Sequence, residues 1–219
     1  MEKIPVYFVP GMAASPAIFE YIKLPADVFT VFFLEWLLPY EGETLPEYAA
    51  RMLKDVKHDN PVLIGVSLGG LIVQEMAKII AARKVIIISS VKSNKEFPRR
   101  MKFAKLTKIY KTFPTRMIQH VDVVRKFFPD KSFVIRRLNL YEKYLAMRDK
   151  KYLDWAFKAV IEWDRETADP NVVHIHGDAD KIFPVRYIKN YIPVKGGTHI
   201  MIINRFSWIN ERLPELILK

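Results

Sequence analysis

The 219-residue chain contains no cysteine. Disulfides and thiolate metal sites are therefore excluded, and a reducing compartment suits such a chain. Glycine is scarce as well, at eight residues. No apolar run is long enough to cross a bilayer: the most apolar window, Val28 to Leu38, is short and carries Glu35. The start, Met1-Glu2-Lys3-Ile4-Pro5, lacks the basic, apolar and small-residue succession of a secretory signal. A cytoplasmic protein with no membrane span is the expectation. Acidic residues are outnumbered 24 to 35 by Lys and Arg, for a net charge of +11.

What is present alternates. Short apolar runs at Ile4–Val9, Phe29–Leu34, Pro61–Val66, Lys84–Ser89, Asn171–His176 and Tyr191–Val194 have the unbroken character of parallel strands covered on both faces. Between them lie helical patterns. Pro16–Lys23 suits a short helix. Leu45–Lys57 carries Leu45, Tyr48, Ala49, Met52, Leu53 and Val56 on one face, with Thr44 and Glu47 spaced as a capping box. Leu68–Ala82 and Ile203–Leu218 are further helices. This rhythm predicts an α/β protein with a mostly parallel central sheet of about six strands and helices on both faces.

Lys92 to Ala168 breaks the rhythm. It holds no convincing strand and is punctuated by Pro98, Pro114 and Pro129. Trp155, Ala159 and Trp163 share one helical face. The stretch reads as a helical insertion. It also holds the charge excess: nine Lys/Arg against one acid, Glu96, from Lys92 to Arg116. Interleaved aromatics (Phe97, Phe103, Tyr110, Phe113) could stack nucleic-acid bases. A solvated basic face over a buried apolar one explains the same pattern more simply, and no nucleic-acid partner is expected.

Seven of the eight glycines (11, 65, 69, 70, 177, 196, 197) fall in four loops at strand ends, where ligands of open α/β sheets gather. One of these loops reads Gly65-Val66-Ser67-Leu68-Gly69, a G-x-S-x-G between a strand and a helix. A serine on so sharp a turn is held clear of the sheet, and the amide after it, Leu68, faces a developing oxyanion. Such a serine needs a base. Of His58, His120, His174, His176 and His199, the last sits in the loop Gly196-Gly197-Thr198-His199, free to reach over the sheet edge. A carboxylate should orient that imidazole, and Asp178 and Asp180 both follow the fifth strand.

The stretches Gly65–Gly70, His176-Gly177-Asp178-Ala179-Asp180-Lys181-Ile182-Phe183-Pro184 and Gly196–His199 resemble the α/β-hydrolase superfamily, in particular its small bacterial-type members with a helical cap. The order Ser, Asp, His is that of the superfamily. The resemblance implies a core of residues 1–91 and 169–219 with residues 92–168 as the cap. It implies a catalytic triad of Ser67, Asp180 and His199, with Asp180 preferred over Asp178 by its place in the motif. It also implies an oxyanion hole from the backbone amides of Met12 and Leu68, although Pro10 stands where the superfamily commonly has His. The function implied is an esterase-like serine hydrolase acting on a small or medium acyl substrate, with no cofactor and no metal. Two alternatives remain: a catalytically silent binding protein of the same fold, and a metal-dependent hydrolase using His174, His176 and Asp178 in an H-x-H-x-D arrangement.

Overall fold

The computed structural model describes residues 2–108 and 143–219. Six strands form one sheet: β1 (Ile4–Val9), β2 (Phe29–Phe33), β3 (Val62–Val66), β4 (Lys84–Ile88), β5 (Val173–Gly177) and β6 (Ile192–Val194). Their order is β2-β1-β3-β4-β5-β6, and every pairing is parallel. The expected α/β class is observed, with each strand close to its expected run. The chain leaves β1 for β2 on one side and returns to β3 on the other. The loops after β1 and β3 therefore diverge at the carboxyl edge and open a crevice there.

Strand residues alternate between two cores. On one face Tyr7, Leu63 and Ile87 meet α1 (Leu45–Met52), α2 (Leu68–Met76) and a later helix, Lys150–Glu162. On the other, Val6, Phe8, Val62, Ile64, Ile86, Ile88 and Ile175 meet the 3-10 turn Pro16–Phe19 and the C-terminal helices. All nine residues of α2 are buried, so its sequence is apolar all round rather than striped. The capping box at Thr44 is present, with Thr44 Oγ1 and Glu47 each satisfying the other's amide.

All four expected helices are shorter or broken, Pro16–Lys23 being only the 3-10 turn Pro16–Phe19. The helix from Leu45 passes into a 3-10 turn at Leu53–Asp55, and α2 stops at Met76. The C-terminal helix divides into Met201–Asn204 and Phe206–Leu218. The break is at Arg205, whose guanidinium turns back to the carbonyls of Lys195 (3.3 Å) and Gly196 (3.1 Å).

Between β4 and β5 lie α3 (Arg99–Thr107) and α4 (Lys150–Glu162); the two C-terminal helices follow as α5 (Met201–Asn204) and α6 (Phe206–Leu218). The face expected from Trp155, Ala159 and Trp163 is buried. Among the described residues this segment adds no strand, only an isolated bridge of Ala14 with Leu145. All four cations of α3 are exposed, but so are Phe103 and Leu106, and no residue of this helix is buried. The buried apolar face expected beneath the basic one is therefore not found on α3, whereas Lys92 and Phe97 are buried. The basic stretch beyond Lys108, with Tyr110, Phe113, Pro114, His120 and Pro129, lies outside the described residues. No described helix is long and apolar enough to cross a membrane.

The sheet interior sets the stability of this arrangement. Leu63 is fully buried between β1, β4 and α2. Replacing Leu63 by Ala should cost about 2–5 kcal/mol, read as a lower urea midpoint with an unchanged denaturant slope. An unchanged midpoint would contradict this packing.

Candidate active site

The turn from β3 into α2 places Ser67 at φ 53°, ψ −116°, a conformation rare for any residue with a side chain. Three hydrogen bonds hold it. The Ser67 amide donates to the Ile88 carbonyl at the end of β4 (3.0 Å). Its carbonyl accepts from the Gly70 amide (2.9 Å) and from Ser90 Oγ (2.8 Å). The turn also needs glycine at Gly65, where a Cβ would lie 2.1 Å from the Gly69 carbonyl oxygen.

The loop after β6 brings His199 across the sheet edge to this serine. His199 Nε2 lies 3.0 Å from Ser67 Oγ, and Nδ1 lies 2.9 Å from Asp180 Oδ2. A carboxylate only accepts, so Nδ1 carries the hydrogen and Nε2 is left to accept from the serine hydroxyl. His199 remains partly exposed, with 23% of its side chain accessible, while Asp180 is buried. The loops after β5 and β6 pack closely: a Cβ on Gly177 would lie 2.1 Å from the Gly197 carbonyl oxygen.

Asp180 is held on both oxygens. Oδ1 accepts from the amides of Ile182 (2.7 Å) and Phe183 (3.0 Å). Burial opposes ionisation of this carboxyl. The hydrogen bond and charge interaction with His199 and the hydrogen bond from the Phe183 amide outweigh burial, so its pKa lies below the ordinary carboxylate value. Asp178 does different work: its Oδ1 accepts from the Gly196 amide at 2.7 Å and ties the two loops together.

The loop after β1 runs beside the serine. A Cβ on Gly11 would lie 3.6 Å from Ser67 Cβ. Trp36 Nε1 donates to the Gly11 carbonyl (2.9 Å), and the Tyr152 hydroxyl accepts from the Ala13 amide (3.2 Å). Ala13, at φ 62°, also accepts at its carbonyl from the amides of Ala146 (3.0 Å) and Met147 (3.1 Å). Among the described residues, the amides of Met12 and Leu68 donate to no protein acceptor. Arg100 of α3 donates to the carbonyls of Lys181 (2.7 Å) and Ile182 (2.8 Å), beside the Asp180 turn. Trp36, Tyr152, Ser90 and Arg100 were not singled out from sequence. Each acts through a partner distant along the chain, and no local motif marks them.

The sequence matches no protein-family model and no curated protein. Its backbone does recur among solved structures. The enol-lactonase from Burkholderia xenovorans LB400 aligns with a TM-score of 0.70 at 12% identity, over 100% of this chain and 93% of that one. A thermophilic esterase from Thermogutta terrifontis aligns at 0.66 and 13% identity, over 99% and 90%. A bromoperoxidase from Bacillus anthracis aligns at 0.65 and 18% identity, over 100% and 93%.

The chain has the α/β-hydrolase fold.

Within this α/β-hydrolase fold none of the other described histidines hydrogen-bonds to Ser67. His58 Nδ1 is 2.6 Å from the Tyr7 hydroxyl. His174 Nε2 and His176 Nδ1 face each other at 3.0 Å inside the core. With Asp178 turned to Gly196, the H-x-H-x-D stretch does not converge on one point. No group of three or more ligating side chains gathers among the described residues.

The depressed pKa of Asp180 links the site to stability. Its folded value lies below its unfolded value, so the stabilisation is present above about pH 4 and is lost as pH falls through the folded value. The stability gap between the protein and its Asp180→Asn variant should be widest near neutral pH and shrink below about pH 4. Urea midpoints across that range measure it; a gap independent of pH would contradict the assignment of the charge to Asp180.

Proposed function

We propose that the protein is a serine hydrolase that cleaves a small or medium carboxylic ester, or a related acyl substrate, through an acyl-enzyme. The single observation that carries this reading is the hydrogen-bonded line Ser67 Oγ, His199 and Asp180, at 3.0 and 2.9 Å, ending on a strained strand-to-helix turn. An esterase and an enol-lactonase among the proteins of like fold point to ester and lactone carbonyls as the substrate class.

In this scheme Ser67 Oγ attacks the carbonyl carbon while His199 Nε2 takes its proton. Asp180 keeps the His199 tautomer and balances the imidazolium that forms. The amides of Met12 and Leu68 receive the oxyanion, Leu68 with the added field of the α2 N-terminus. His199 then protonates the leaving group. Water attacks the acyl-enzyme by the reverse route, with His199 again the base. The chemistry calls on no cofactor. Of the expected cap, residues 92–168, helix α4 packs into the sheet core and steadies the proposed oxyanion loop through Tyr152.

Ser67→Ala should lower turnover of an activated ester such as p-nitrophenyl acetate by about four orders of magnitude or more. A fluorophosphonate probe should label the parent protein and not this variant. Undiminished turnover by Ser67→Ala would sink the scheme, and absence of labelling in the parent would favour a binding protein of the same fold.

A further inference from the structure

His174 and His176 are both buried on one face of β5, and the scheme above uses neither. Their contacts are directional. His176 Nε2 lies 2.8 Å from the Phe183 carbonyl oxygen and 3.5 Å from Asp180 Oδ2. A nitrogen lone pair facing two oxygens would be repelled, so Nε2 carries the hydrogen. Burial holds the ring neutral: its pKa lies below the ordinary histidine value, desolvation outweighing the Phe183 carbonyl and the Asp180 carboxylate. His176 Nδ1 is then a lone pair, and the atom facing it at 3.0 Å, His174 Nε2, must be its donor. Desolvation and the neighbouring His176 and Lys92 lower the His174 pKa well below the usual value too. The Ser90 backbone opposes this shift only in part, and His174 Nδ1 makes no hydrogen bond among the described residues.

The chain of donors ends on a residue that touches the proposed triad twice. The Phe183 amide donates to Asp180 Oδ1 (3.0 Å), and the Phe183 ring meets His199 edge-on, centroids 5.5 Å apart. We propose that His176 is a positioning residue: its Nε2–H, fixed in that tautomer by His174, clamps the Phe183 peptide so that Phe183 holds Asp180 and His199 in register. This role rests on the hydrolase reading for its effect on rate, but not for its geometry. Other bonds also restrain the Asp180 turn: Arg100 donates to the Lys181 and Ile182 carbonyls, the Ile182 amide to Asp180 Oδ1 and the Asp180 amide to the Gly177 carbonyl. The His176 bond is the one made to the Phe183 carbonyl. A hydrogen bond from a buried neutral imidazole is well suited to hold it, because the ring does not change charge as pH moves through neutrality.

Long-range proton–nitrogen NMR on histidine-labelled protein reads the tautomers directly. Both His174 and His176 should carry hydrogen on Nε2 and a lone pair on Nδ1. A hydrogen on Nδ1 of either ring would overturn the proposal, whatever the protein catalyses. His176→Phe keeps the ring and removes the donor. It should lower kcat about tenfold with KM little changed, the worth of one good hydrogen bond, and should shift the His199 Nδ1 proton resonance. His176→Gln can place an amide N–H near the lost Nε2 and should recover most of both. Equal impairment of the Phe and Gln variants would assign His176 to packing alone and overturn the clamp, as would parent-like kcat and an unmoved His199 resonance in His176→Phe. If Ser67→Ala retained activity, the hydrolase reading would fall while the tautomers and the His199 resonance would still decide the clamp.

Discussion

Ser67 occupies a backbone conformation that a residue with a side chain adopts at a cost of about 1–3 kcal/mol. It persists because its surroundings over-determine it. Its amide is pinned to Ile88, its carbonyl to Gly70 and Ser90, and the missing side chain at Gly65 lets α2 start directly over the end of β3. The arrangement around it follows from this turn. The β3–β4 register brings Ile88 beside Val66, and so the acceptor for the Ser67 amide is at hand. The Ser90 hydroxyl arrives two residues later. The strain is thus supported by the most buried part of the sheet.

The second dependence runs between the sheet and the segment that interrupts it. Residues 144–147 and helix α4 reach the loop after β1: Tyr144 O accepts from Ser15, Ala146 and Met147 donate to Ala13, and Tyr152 binds the Ala13 amide. Trp36, packed at 5.6 Å on Tyr152, holds the Gly11 carbonyl on the other side. The loop carrying Met12 is therefore braced by both parts of the chain. Pro10, where the resembled family commonly has His, is buried and leaves Gly11 close against Ser67. The proposed oxyanion donor is a backbone amide, which does not depend on the side chain at position 10.

Legibility in the sequence varied with the range of the interaction. The strands, the capping box at Thr44 and the serine turn were readable because each is decided by residues a few places apart. The choice between Asp178 and Asp180 was not decided by composition or spacing, only by resemblance. In the structure Asp180 meets His199 and Asp178 meets Gly196. Helix ends were misjudged where the apolar period continued beyond the helix. Ile79 and Ile80 prolong the pattern of α2 after the helix has ended. The C-terminal helix divides at Arg205, whose side chain bonds back to the histidine loop, a contact invisible in the helix's own periodicity.

By itself the sequence determined the alternation of buried strands and helices, the place of the glycine-lined loops and the chemical types gathered in them. These follow from local polarity and backbone freedom, which act over short stretches of chain. Only the tertiary structure decided which groups meet: Ser67 and His199, 132 residues apart, Tyr152 and the Ala13 amide, and the two buried imidazoles behind Asp180. Hydrogen bonds act over about 3 Å, and which atoms come that close is set by how the whole sheet twists, stacks and is covered, not by any neighbourhood along the chain.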